Sequence, residues 1–267
     1  TNPESGAAPS ATQAQCANTG LAASLYGSDL KSPADQYNIL TGGNPNLRPE
    51  ESESTTIGVV WTPSSMDGLT VTLDYFDILV EDRIGTIPAQ TSLDKCLATG
   101  NTTFCSLIER DPVMGSLWVS PGRIITTNTN VAETSTSGFD IIFDYVLDTG
   151  IGPIGLKGIS TIVDSDTLIV LPGEPELECA GKYGSSCGKN PVPEFSGNYS
   201  AELSKGNFDY TLGLRYLGET DTLNSDNIDF DAKTYVDATV KYSLNENISF
   251  SLGASNLFDE DPVYTSS

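Results

Sequence analysis

The sequence predicts an all-β protein of about nine long antiparallel strands, connected up and down in the manner of a transmembrane β-barrel that the chain does not complete. Three observations carry this. Stretches of alternating apolar and polar residues recur along the chain, each well past the roughly five or six residues usual in globular sheets. They are joined alternately by very short turns and very long connections, the asymmetry of an outer-membrane barrel with long extracellular loops. A soluble sandwich has moderate connections at both ends. Asp74, Asp140, Asp144, Arg215, Asp237 and Lys241 also fall within strands, opposite apolar and aromatic residues.

Residues 1 to 50, rich in Ala, Ser, Asn, Gly and Pro, read as an extended extracellular loop region. Residues 51 to 257 carry the strands and their loops. The first strand runs from Ser52 to Trp61, where Pro63 stops it. After the turn 64–68, Leu69 to Ile84 places Val71, Leu73 and Tyr75 on one face. A long excursion from Gly85 to Gly122 has two short stretches with helical character, Leu93–Leu97 and Phe104–Arg110. A strand is expected at Arg123–Val131 and a clearer one at Thr134–Leu147, with Phe139, Ile141, Phe143, Tyr145 and Leu147 together. Ile154 to Val170 follows a short turn, and Leu171 to Pro193 forms a second excursion. The strands Glu194–Ser204 and Phe208–Gly218 flank the turn 205–207. An acidic loop, Glu219–Asp229, precedes the last hairpin, Val236–Leu244 and Ile248–Ala254 around the turn 245–247.

Composition narrows the function. The chain has 267 residues, 13 Lys plus Arg against 36 Asp plus Glu, a formal charge of −23 and no histidine. The lack of histidine removes Ser-His-Asp and Cys-His nucleophile pairs and His-ligated metal sites. The acidic balance argues against a nucleic-acid partner. No stretch approaches the roughly 20 apolar residues of a transmembrane helix, which says nothing against a barrel. No Gly-rich phosphate loop follows a strand, and no cofactor is expected. Asp226, Asp229 and Asp231, Asp164 with Asp166, and Asp259 with Asp261 are carboxylate clusters that read as solvated loops rather than Ca²⁺ sites. The chain therefore reads as a non-enzyme. Tyr75, Tyr145, Tyr199, Tyr210, Tyr216 and Tyr242, with Trp61 and Trp118, suit aromatic belts at membrane interfaces better than sugar-stacking platforms.

Five cysteines bear on compartment. Cys96 lies near Cys105 and Cys179 near Cys187, each pair bracketing a polar segment inside a long connection. Without a Cys-x-x-Cys or a histidine, local disulfides are the better reading, against five unrelated thiols. They imply an oxidising compartment. Cys16 has no neighbour and is expected to be unpaired, its partner lying upstream of Thr1. Short closures of this kind would order loops with little apolar surface of their own.

Two segments carry a family resemblance. Gly42-Gly43-Asn44-Pro45-Asn46-Leu47-Arg48-Pro49-Glu50-Glu51-Ser52 resembles the GNPNLKPE signature of TonB-dependent outer-membrane receptors, and Ala254-Ser255-Asn256-Leu257-Phe258-Asp259-Glu260-Asp261-Pro262 resembles their NLFDKxP stretch. Asp74-Tyr75-Phe76-Asp77-Ile78 and Thr136-Ser137-Gly138-Phe139-Asp140 look like the family's strand text. The resemblance implies the C-terminal portion of a receptor barrel in the outer membrane of a Gram-negative bacterium, with loops outside the cell. It implies as partners outer-membrane lipid, a small-molecule cargo of the siderophore, cobalamin or carbohydrate class, and the TonB complex acting through a plug. That plug is not recognisable in this chain. The family's barrel has 22 strands, more than nine strands can close, and residues 258–267 read as a truncated end. The alternative is a receptor-derived fragment that self-assembles as a structural β-protein through exposed strand edges. A secreted β-sandwich adhesin explains the loops less well.

Overall fold

The structure is a computed structural model and describes residues 10–184, 187, 191–223 and 229–262. Asp226 and Val263-Tyr264-Thr265-Ser266-Ser267 lie outside the described residues. In chain order the strands are β1 (Ile39–Leu40), β2 (Glu51–Trp61), β3 (Leu69–Gly85), β4 (Ile108–Glu109), β5 (Arg123–Ile125), β6 (Thr129–Thr149) and β7 (Gly152–Ile169). They continue as β8 (Leu177–Glu178), β9 (Lys182–Tyr183), β10 (Phe195–Lys205), β11 (Phe208–Leu217), β12 (Asp221–Thr222), β13 (Lys233–Asn245) and β14 (Ile248–Ala254). The helices are α1 (Gln13–Asn18), α2 (Ala89–Thr99) and α3 (Thr102–Cys105). Two compact units result: residues 1–50 with 82–132, and 51–81 with 133–267.

A nine-stranded sheet forms the second unit's frame, in the order β14-β13-β11-β10-β7-β6-β3-β2, with β8 added on β7. The sheet is open. Its end strands β2 and β14 each pair one neighbour, and every residue of both is exposed. Short turns fix the register. Gly206 adopts φ +60° between β10 and β11, a conformation that side-chain-bearing residues rarely take. Asn245 Oδ1 accepts from the amides of Asn247 and Ile248 at 2.9 Å to close the last hairpin.

The count of about nine strands agrees with this sheet, but one expected member does not belong to it. Arg123–Val131 splits. Arg123–Ile125 pairs with β1 and β4 in a separate three-stranded sheet, and Thr129 onward extends β6. The break at Thr126-Thr127-Asn128 is where backbone bonds pass to the first unit's loop: the Thr126 amide donates to Leu40 and that of Asn128 to Gly42. The helical stretch expected at Phe104–Arg110 is likewise shorter, since α3 ends at Cys105 and Ile108–Glu109 pairs with β5.

The largest departure concerns where the apolar core sits. No side chain of the nine-stranded sheet is among the buried hydrophobic residues. Most of those residues lie in the first unit: Cys16, Leu21, Ile87, Cys96, Phe104, Ile108, Leu117 and Ile124. The expectation that this loop region lacks apolar surface is corrected. Scattered Leu, Ile and Phe residues without period converge there on α1, α2 and the three-stranded sheet.

Candidate functional site

Strand register separates two surfaces of the sheet. Phe143 stands opposite Gly158, Gly158 opposite Tyr199, Tyr199 opposite Leu214, and Leu214 opposite Val236. One row down, Tyr145, Leu156, Ala201, Leu212, Ala238 and Ala254 line up across all six strands. This surface is mainly apolar, with Ser160 bonded to the Tyr199 hydroxyl at 2.7 Å, and is open to its surroundings, with Leu212 49% and Leu252 79% exposed. Aromatic rings meet across it, Tyr75 with Phe139 at 5.3 Å, Phe195 with Tyr216 at 5.6 Å and Phe208 with Tyr242 at 4.8 Å. Of the aromatic residues singled out from the sequence, Trp118 is not in the sheet. It lies in the first unit with its indole N–H buried and without a partner among the described residues.

The opposite surface carries the charged side chains, alongside the exposed Ile142, Ile159 and Val146, and is cross-linked. Thr161 donates to Asp140 at 2.6 Å, Lys157 lies 3.9 Å from Asp144, Lys241 4.0 Å from Asp209, and the Arg215 guanidinium sits 4.6 Å over the Tyr235 ring. The two ion pairs are solvent-exposed, so each is worth at most about 1 kcal/mol. Their effect is to keep this surface hydrated.

Beyond the strands, two connections of the second unit are knitted together. Between them β9 and β12 pair in parallel, and Tyr183 stacks on Phe230 at 4.4 Å. Cys179 and Cys187 are joined by a disulfide with Cα atoms 5.4 Å apart. Glu178 anchors the start of this cluster. Its carboxylate accepts from the amides of Asp166 and Ala180, both at 2.9 Å, and from the Ser165 hydroxyl at 2.8 Å. Burial opposes the charge, but these donors and the Cys179 amide outweigh it and hold the carboxyl below its ordinary value. Asp166 accepts from Thr136 at 2.6 Å and Asp229 from the Thr222 amide at 2.9 Å, which are loop-ordering roles. No cluster of three His, Cys, Asp or Glu residues able to hold a metal occurs among the described residues.

The first unit encloses a cleft of about 890 Å³. Leu93 and Leu97 of α2, with Leu30, Leu117 and Ile124, supply apolar walls. The disulfide Cys96–Cys105, Cα atoms 4.9 Å apart, ties α2 to α3 beneath them, and Cys16 is a free, buried thiol at the cleft. Arg110 also lines it. The Arg110 Nε–H is shared between the carbonyl and hydroxyl of Thr19, at 3.0 and 3.1 Å, Nη1 donates to Gly115 O at 2.8 Å, and Nη2 to the Thr19 hydroxyl at 2.9 Å. Burial pushes the guanidinium below its ordinary value. Arg110 and Glu178 had no signal in the sequence, because each depends on partners from distant or irregular backbone rather than on a local pattern.

The family described as TonB dependent receptor-like, beta-barrel, matches residues 7–257. No curated protein matches the chain. Among solved structures, a mutant ferric enterobactin receptor (PfeA) of Pseudomonas aeruginosa in complex with enterobactin superposes with a TM-score of 0.54 at 15% identity, over 82% of this chain and 27% of that one. The outer membrane transporter YddB of Escherichia coli gives a TM-score of 0.54 at 12% identity, over 84% of this chain and 31% of that one. The chain thus spans less than a third of the length of these structures, and at such identities the likeness is one of fold.

Proposed function

Since the chain belongs to the TonB-dependent receptor β-barrel family, we propose that it supplies barrel wall and extracellular loops to an outer-membrane importer of a scarce nutrient, driven by the TonB complex through a plug. The observation that carries this reading is the mainly apolar surface held in register across the sheet while the ion pairs fall on the other surface. Left in water, so large an apolar surface drives aggregation; against lipid it is at rest. Its height fits. From Phe208 to Tyr216, the rings near the two ends of β11, eight residues at ~3.3 Å give about 26 Å along the strand. A tilt of ~40° reduces that to about 20 Å across the membrane, close to the ~25 Å apolar band of such barrels. Long connections then lie outside the cell, where cargo of the siderophore, cobalamin or carbohydrate class arrives.

A paired substitution tests the wall. Leu212→Arg places a charge on the apolar surface and should cost about 2–4 kcal/mol of stability in bilayers, whereas Thr211→Arg on the polar surface should cost well under 1 kcal/mol. Denaturant unfolding in vesicles reads both, and equal costs would contradict a lipid-facing wall. Import itself is tested by growth of a host producing the full reading frame on each cargo class, with and without TonB.

The exposed end strands favour a second reading, association through β2 and β14 as a self-assembling structural protein. Electron microscopy of the purified chain separates the two, since filaments are required by the second and not by the first.

A further inference from the structure

We propose that the first unit is itself a binding site for a small amphipathic carboxylate, its apolar body seated among Leu30, Leu93, Leu97 and Leu117 and its anionic head on Arg110. The cleft, about 890 Å³, falls within the ~300–1,000 Å³ of small-molecule sites. Its walls are aliphatic, which selects an apolar body. Its charge arrangement selects the head. All three oxygens that Arg110 contacts, Thr19 O, Thr19 Oγ1 and Gly115 O, are neutral, and no carboxylate lies within ion-pair distance among the described residues. Those contacts occupy three of the five guanidinium N–H groups, leaving two donors for a ligand. Among the described residues the acidic group acting on Arg110 is the Cys16 thiol, which favours its charged form; a half-buried cation facing a thiol rather than a carboxylate is costly, and a bidentate carboxylate is the partner whose geometry matches its fork.

The remaining charged groups of the lining do not compete. Lys31 pairs with Asp35 at 3.3 Å, and Asp94 is exposed, where it accepts from Gln90 at 2.8 Å. The chain's overall charge of −23 slows the approach of an anion, but screening confines that field to about 10 Å at 0.1 M salt. The inference goes beyond the importer reading, because binding here requires no transport.

Calorimetric titration of the whole 267-residue chain in amphipol at pH 7 tests it, with octanoate, octanol and octylamine as probes. Octanoate should bind at least tenfold more tightly than octanol, and octylamine more weakly than either. Arg110→Gln should abolish the preference for octanoate and Arg110→Lys keep part of it. Because Arg110 also joins Thr19 to Gly115, Leu93→Trp provides a second variant, which fills the cleft and should weaken octanoate at least tenfold while leaving Arg110 in place. Equal affinity for octanoate and octanol, or octanoate binding untouched by Leu93→Trp, would overturn the proposal. So would binding that arises only after residues 1–9 are removed, since the chain's own start would then be the occupant. Binding without uptake would count against the importer and leave this site standing; uptake without octanoate binding would do the reverse.

Discussion

Glu178 is held in its charged form because two amides and a hydroxyl converge on one carboxylate at the point where β8 folds back on β7. A carboxyl lowered in the folded state contributes stability that is fully present above its ordinary value of 4.5 and is lost as pH falls through that value and on through the lowered one. Amide-exchange protection at Asp166 and Ala180 should therefore hold from pH 7 to about 5 and decline below. In Glu178→Gln it should be weaker at pH 7 and flat across that range; an unchanged acid decline in the variant would refute the assignment. Ser92 presents the opposite case. Its hydroxyl is fully buried in α2 with no partner among the described residues. An unpaired buried hydroxyl costs about 1–3 kcal/mol, and Ala is also the better helix former. Ser92→Ala should raise stability by about 1 kcal/mol, read by chemical denaturation, and a loss would show that the hydroxyl has a role the structure does not display.

At the scale of elements, the sheet depends on places where a side chain is missing. A Cβ on Gly158 of β7 would lie 2.4 Å from a ring carbon of Phe143 and 2.6 Å from one of Tyr199. The two rings close over this glycine from β6 and β10, with centroids 6.3 Å apart and planes inclined by 26°. Gly158→Val should part them at a cost of about 1–3 kcal/mol. Phe143→Ala in the same chain should restore part of the loss, so that the two changes are less than additive in a double-mutant cycle. Full additivity would mean that the rings do not close over the glycine. These strands were legible in the sequence because alternation, length and turn residues such as Gly206 and Asn245 all specify the same register. Arg123–Val131 was not. Its apolar residues satisfy a strand pattern, but which sheet they join is decided by Leu40 and Gly42, more than eighty residues earlier. The Arg110 cleft was hidden for the same reason, since Leu30, Leu93 and Leu117 have no common period and meet only through tertiary contacts.

The whole molecule reverses the placement expected of a water-soluble fold, with its apolar core in the loops and an apolar surface left open on the sheet. Strand frame and loop core consequently rely on different forces: the frame on ladder hydrogen bonds and on whatever covers its apolar side, the loops on burial and on cross-links. The cross-links provide the test. Closing loops with sequence separations of 9 and 8 residues should contribute about 2–3 kcal/mol each by restricting the unfolded chain. The two sites differ, however. Cys96 is completely buried and its helix carries Leu93 and Leu97, so loss of the Cys96–Cys105 bond should disturb the packing of α2 and α3. Cys179–Cys187 borders a cluster also held by Glu178, by the β9–β12 pairing and by the Tyr183–Phe230 stack. Peptide mapping without reductant should return Cys96 with Cys105, Cys179 with Cys187, and Cys16 as a free thiol. On reduction, amide exchange should rise most in Ala89–Cys105, less around Lys182 and Asp221, and least in β10, β11 and β13. If instead the central strands lose protection together with α2, the loops and the wall fold as one cooperative body, and the division of forces drawn here is wrong.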